Sequence, residues 1–381
     1  MQTSYRPSSE AVKSISLAAQ PWLSSPRWDI TWILGPAFIS ASCLLLFRQQ
    51  MEAYQDVPLW VWVCFILMID VAHVYASLFR TYLDPQAFQK NKTILLIMPV
   101  IAWTGSYMLY CLSDQYFWRG LLYLAVFHFI RQQFGFMMLY SRKDPPACKQ
   151  YQWLDRAAIY MATIYPLLFW HTHARDFSWF GATEFFDGVP SVFNEIGFAV
   201  YWLVALSYFL KEFALAREGY LNLPKNLLLL VTAFSWWTCI VAVNSDLGFT
   251  VTNVVSHGVP YMALVWLYHG KKARQSEPAS AWSYGWRKLL ISNAFIFVAF
   301  MGLLAFVEEG FWDAMVWREH LTVFAPFWQL PHVGNPALLA LIVPFLALPQ
   351  STHYLLDGFI WRIPKRGAEA NSLEPGAFRV A

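Results

Sequence analysis

The chain has 381 residues, of which 57% are hydrophobic, 18% aromatic and only 13% charged, with a formal net charge of +3. A soluble domain carries about 25% charged residues, so this chain lacks the charge to cover a water-facing surface, and a small net charge without a long basic run argues against a nucleic-acid partner. Cys43, Cys64, Cys111, Cys148 and Cys239 include no CxxC pair, which argues against a disulfide scaffold or a thiolate zinc site.

In chain order, a polar tail over residues 1–29 precedes a first apolar run that continues past signal-peptide length and reads as a retained helix. A helix crosses hydrocarbon in about 20 apolar residues. Stretches of that kind fall at 30–47, 57–79, 93–112, 118–140, 157–171, 196–214, 224–243, 248–269, 288–307 and 336–361. A Pro-, Gly- and charge-rich tail over 362–381 follows. The expectation is an all-α, polytopic transmembrane bundle of about ten helices forming a single domain over residues 30–361.

The cationic residues set its orientation. Lys and Arg in the N-tail, in the loops after the second, fourth, sixth and eighth segments, and in the C-tail number 22. The opposite loops hold four, Arg48, Arg119, Arg175 and Arg318, and Arg131 lies within the fourth segment. Under the positive-inside rule this places both termini in the cytoplasm. The expected location is a cell membrane, the inner one in a bacterium.

Ionisable residues inside the apolar segments carry the functional argument, because placing one in hydrocarbon costs a few kcal/mol or more. The second segment has Asp70 and His73, the fourth His128 and Arg131, the eighth His257, Tyr261 and His269, and the tenth His353 and Asp357. All four segments run from outside to inside, so depths compare by counting to the cytoplasmic charges. His73 and His353 fall roughly 10–14 Å in, and His128 and His257 roughly 21 Å. Four histidines within a slab about 10 Å thick predict a metal centre in the cytoplasmic half of the bilayer.

Neutral imidazoles with carboxylates suit iron, copper, zinc or manganese, and non-haem iron in particular. The expected ligands are His73, His128, His257 and His353. His269 is a fifth candidate, although twelve residues' spacing turns it about 120° from His257. Asp70 and Asp357 are candidates for further ligands, or orient imidazoles and relay protons. Arg131 pairs with a carboxylate or holds an anionic substrate group, and Tyr261 shares the stripe of His257. His171, His173, His320 and His332 lie in the outer loops and read as solvated or interfacial.

The expected function is that of a metal-dependent, iron-first oxidoreductase or oxygenase acting on a lipophilic small molecule in the bilayer, with an electron-transfer partner. A haem protein with bis-histidine ligation and a proton-coupled transporter are the alternatives. Inverted repeats of a transporter would pair each helix with the one five later, but the polar helices are two, four, eight and ten. The HxxxH and HxxHH boxes of membrane di-iron desaturases are absent. Single histidines on separate helices are similar in style to the membrane carotene-cleaving oxygenases, whose PHG segment this chain lacks.

Overall fold

A computed structural model describes residues 17–53, 57–173, 185–275 and 289–360. The tails beyond these, Arg175, and residue 288 at the start of the ninth segment lie outside the described residues.

Among the described residues the structure is helical, without strands. The long helices are α1 Pro26–Leu46, α2 Leu59–Arg80, α3 Lys92–Leu112, α4 Asp114–Tyr140, α5 Gln152–Thr172, α6 Ser191–Arg217, α7 Leu223–Ala242, α8 Asp246–Gln275 and α9 Ala294–Trp317. A last pair follows, α10 Pro336–Leu346 and α11 Leu348–Ile360. Six of these helices (α1, α2, α3, α6, α7 and α9) are long and apolar enough to cross a membrane, or seven crossings if α10 and α11 form one bent span. These are properties compatible with a membrane protein.

Local chemistry explains where the helices begin. The Asn222, Asn293 and Asn335 side chains accept backbone N–H groups of Lys225 (3.1 Å), Phe295 (2.7 Å) and Ala337 (2.9 Å). Each thereby caps donors that a first helical turn leaves unpaired. Pro224 and Pro336 stand just inside two of these starts, where a missing N–H costs nothing.

Three boundaries differ from the sequence expectation. The tenth segment is two helices meeting at 43°, with Ala347 at the joint and Pro344 and Pro349 on either side of it. The ninth begins at Ala294 and runs on to Trp317, which places Glu308 and Glu309 inside a helix instead of beyond one. Within α2, Trp62–Val71 winds as a π-helix before Ala72–Arg80 returns to α.

The chain contacts group into two units. The first gathers α1, the last turns of α4, α5, α6 and α7. It buries an ionic network: Lys225 Nζ lies 2.9 Å from Glu212, 3.5 Å from Asp144 and 3.5 Å from Asp155. Lys211 bonds Asp155, and Asn222 donates to Asp144 at 2.7 Å. Lys211 and Lys225, counted above as loop charges, are thus buried in the ends of α6 and α7.

The second unit holds α2, α3, α4 up to Arg131, and α8 to α11. Its main core packs α2 against α8 and α9 through Leu67, Ala72, Ala76, Tyr261, Val265, Phe297, Met301 and Ala305. The small residues Ala72, Ala76 and Ala305 are fully buried, and such residues let helix backbones approach closely in a bilayer. A second cluster joins α4, α9, α10 and α11 through Phe117, Leu121, Ala125, Trp312, Val343, Ala347 and Tyr354. The outer face of α3 leaves Leu96, Ile97, Val100, Ile101 and Met108 exposed. An apolar stripe of that extent is compatible with a lipid-facing surface.

Candidate metal centre

Four histidines converge in the second unit, one each from α2 (His73), α4 (His128), α8 (His257) and α11 (His353). All are buried, none more than 3% exposed. One ring nitrogen from each lies within 4.8 Å of the other three. His257 Nε2 is 3.0 Å from His73 Nε2 and 3.1 Å from His128 Nε2. The two depth levels of the sequence count merge into one. The counts ran to Arg80, Arg142, Lys271 and Arg362, so the helices that continue furthest past the site, α4 to Tyr140 and α8 to Gln275, gave the larger depths.

Helix packing explains the meeting. Gly258, next to His257, faces α2: a Cβ there would lie 2.7 Å from Ile69 Cγ2, 3.2 Å from the Ile69 carbonyl oxygen and 3.5 Å from His73 Nδ1. Only a glycine lets α8 approach α2 so closely at this level. The π-helical turns of α2 end two residues before His73, and such turns are frequent beside functional sites.

The partners assign the protons. His73 Nδ1 lies 3.1 Å from the Ile69 carbonyl oxygen, an acceptor, so this nitrogen carries the hydrogen and Nε2 presents a lone pair. His128 Nδ1 faces Asp357 Oδ2 at 3.5 Å, which favours the same tautomer. His257 Nε2 then stands between two lone pairs and has at most one hydrogen to offer. At least one of the two short N···N contacts therefore opposes lone pair to lone pair. His353 adds to the deficit, because neither of its ring nitrogens has a hydrogen-bond partner among the described residues. A cation shared by the lone pairs resolves both problems. With metal–nitrogen bonds of about 2.0–2.1 Å, neighbouring ligand nitrogens sit about 3.0–3.4 Å apart, the range of the two observed contacts.

Asp357 is the hub of the surrounding polar groups. One oxygen accepts the Tyr261 hydroxyl at 2.8 Å and lies 3.8 Å from His353 Nδ1, while the other faces His128. The Tyr261 ring stands edge-on to His353 with centroids 5.1 Å apart. Asp70 Oδ1 approaches His73 Nδ1 only to 3.9 Å, beyond hydrogen-bond distance. Arg131 lies one turn past His128 and is half-buried.

His269 is not in the group. It packs near Phe79 and Tyr268, and twelve helical residues place it about 18 Å along α8 from His257. The remaining histidines make local contacts: His171 and His173 bond backbone carbonyls of their own helix, and His320 stacks on Trp62 beside Asp313. His332 is exposed.

Sequence reasoning missed Gly258 and Glu308. Glu308, on α9, is buried, with Oε2 accepting the Tyr75 hydroxyl at 2.7 Å and Oε1 without a partner among the described residues. Comparison with family models, curated proteins and solved structures finds no match, so the functional reading rests on the site itself.

Proposed function

We propose that this is an integral membrane protein of ten spans, both termini cytoplasmic. In it His73, His128, His257 and His353 hold one metal ion, iron first, for oxidoreductase chemistry on a lipophilic substrate. The observation that carries the metal is the convergence of four buried imidazoles whose lone pairs face one another without enough hydrogens to satisfy them. An all-imidazole set suits iron, copper and zinc. A bis-histidine haem is less well supported, because four ring nitrogens within 4.8 Å leave no plane for a macrocycle between any pair.

The exposed apolar faces and the bias of 22 cations to four support the topology. A buried site in the cytoplasmic half suits a substrate arriving from the bilayer and a reductant arriving from the cytoplasm. Bound iron supplies one-electron chemistry and oxygen activation. The protein's own groups do the rest. Asp357 holds His128 and Tyr261 in place, Asp70 exchanges protons beside His73, and Arg131 receives an anionic head group.

The test is elemental analysis and an absorption spectrum of protein purified in detergent without chelators. About one iron per chain with no Soret band is expected. Each of His73→Ala, His128→Ala, His257→Ala and His353→Ala should lose the metal, while alanine at His171, His173, His320 or His332 retains it. A Soret band would move the reading to haem. Protein that neither contains a metal nor takes up added Fe(II) or Zn(II) would overturn it in favour of the transporter.

A further inference from the structure

A phenol buried among metal ligands is a ready source of one electron, provided its proton has somewhere to go. Removing the electron alone would leave a cation in a low-dielectric interior, where an unpaired charge is costly. Tyr261 meets both conditions. It is 1% exposed, and its hydroxyl donates to Asp357 Oδ1 at 2.8 Å, an acceptor able to take the hydrogen over. Its ring centroid lies 5.1 Å from that of His353, 5.9 Å from His73 and 6.2 Å from His257, the last nearly parallel at 22°. The neighbouring tyrosines each lack one half of this arrangement. Tyr354 lies 5.1 Å from His128 and 5.7 Å from His353, but its hydroxyl donates to no carboxylate among the described residues. Tyr75 donates to Glu308 at 2.7 Å, but its ring meets none of the four imidazoles among them.

We propose that Tyr261 is a redox-active tyrosine: it passes one electron to the oxidised metal centre and its proton to Asp357. This rests on the metal-site reading above and deepens its redox chemistry. The step balances as Tyr261–OH + Asp357–COO⁻ + M⁽ⁿ⁺¹⁾⁺ → Tyr261–O• + Asp357–COOH + Mⁿ⁺. The O–H bond of the phenol breaks and an O–H bond forms on Asp357 Oδ1, while the tyrosine is oxidised and the metal reduced. The oxidant is the metal centre after it has lost electrons to dioxygen or a peroxide. The pair passes from one negative charge to none, so no cation is left in the interior. A single ion thereby gains a further reducing equivalent within ring contact.

A structural tie competes with this role, with Tyr261 doing no more than hold Asp357, and a spectroscopic signature separates the two. Full-length, detergent-purified protein is loaded with Fe(II), mixed with hydrogen peroxide and frozen for EPR, with iron measured in every sample. Wild type should show an organic-radical signal that narrows when the protein is made with ring-deuterated tyrosine. Tyr261→Phe should lose this signal while retaining iron, and Tyr354→Phe should keep it. Asp357→Asn leaves an amide oxygen for the hydroxyl but cannot take the proton, so the signal per bound iron should fall. An unchanged signal per iron in that variant would overturn the transfer to Asp357. Removing a hydroxyl can also disturb packing, so a further sample has Tyr261 replaced by a monofluorinated tyrosine, which keeps the ring and the hydroxyl. Its signal should gain a fluorine splitting, and the same replacement at Tyr354 should add none. Iron-loaded wild type without a radical signal would overturn the proposal. So would a signal that survives Tyr261→Phe, or one without a fluorine splitting from the fluorinated Tyr261. Wild type that binds no iron would instead sink the metal-site reading on which this rests.

Discussion

Gly258 shows how one missing side chain can place another. His257 reaches the centre because its neighbour lets α8 lie against Ile69 and His73 of α2, with less than van der Waals clearance for a Cβ. A Gly258→Ala chain must separate the two helices at this level. Forcing an extra carbon into a tight contact costs about 1–3 kcal/mol, and here the strain falls on the His73–His257 contact of 3.0 Å. The expected outcome is a lowered melting temperature in detergent together with a sharp loss of bound metal. Gly135→Ala, whose Cβ meets nothing within 4 Å, should change neither. The histidines themselves were legible, because an imidazole in an apolar run stands out against its neighbours. Gly258 was not, since a glycine in a helix declares its role only when the opposing helix is known. Nor was the shortage of hydrogens around His257, which depends on what lies opposite each ring.

At the scale of elements, hydropathy found the apolar helices, six or seven of them able to cross a membrane by length and composition, but judged their ends by where apolarity fades. That is why Glu308 was overlooked: the ninth segment was expected to stop at 307, whereas the helix continues to Trp317 through two adjacent glutamates. Polarity also explains why α4 and α8 fall outside the six helices apolar enough to span by composition. They carry His128 with Arg131 and Asn253 with His257, the residues that give the centre its chemistry. The ionic network of the first unit was invisible for a different reason, as its members come from four separate stretches of chain. Lys225 is its pivot, touching three carboxylates. Lys225→Met should destabilise the protein by about 3–5 kcal/mol, the cost of leaving buried charges without their partner, readable as a fall in melting temperature with metal content retained.

The same network predicts a pH effect. Burial pushes the Asp144 carboxyl above its ordinary range, against the pull of Lys225 and Asn222. A folded-state value above the unfolded one means stability that is fully present below the unfolded value and is lost as pH rises through the folded one. Asp144→Asn should therefore gain in melting temperature relative to wild type as pH rises out of the carboxylate range. The wild type should close that gap as pH falls back through it.

For the whole molecule, the charge asymmetry gives the most direct test. Reporter fusions after Lys90, Lys149, Lys271 and Arg366 should read cytoplasmic, and fusions near Asp187 and Glu319 external. An external reading at any of the first four would remove the common direction of α2, α4, α8 and the last pair, and the cytoplasmic-half location with it. Counting cations along the chain proposes sidedness from a bias summed over many loops, and the fusions are what test it.

On the proposed membrane topology, the four imidazoles are inserted at different times. His257 follows His73 by 184 residues and His128 by 129, and His353 sits on α11, the last helix described. A nascent chain inserted only through α9 holds three of the four rings and lacks both His353 and Asp357. On the proposed reading, ion capture is then the closing event of biogenesis, and the ion becomes the clasp that fastens the final helical pair to those made long before it. Cells starved of the metal would accumulate full-length chains whose last pair is held only by its apolar packing and the hydrogen bond from Tyr261 to Asp357.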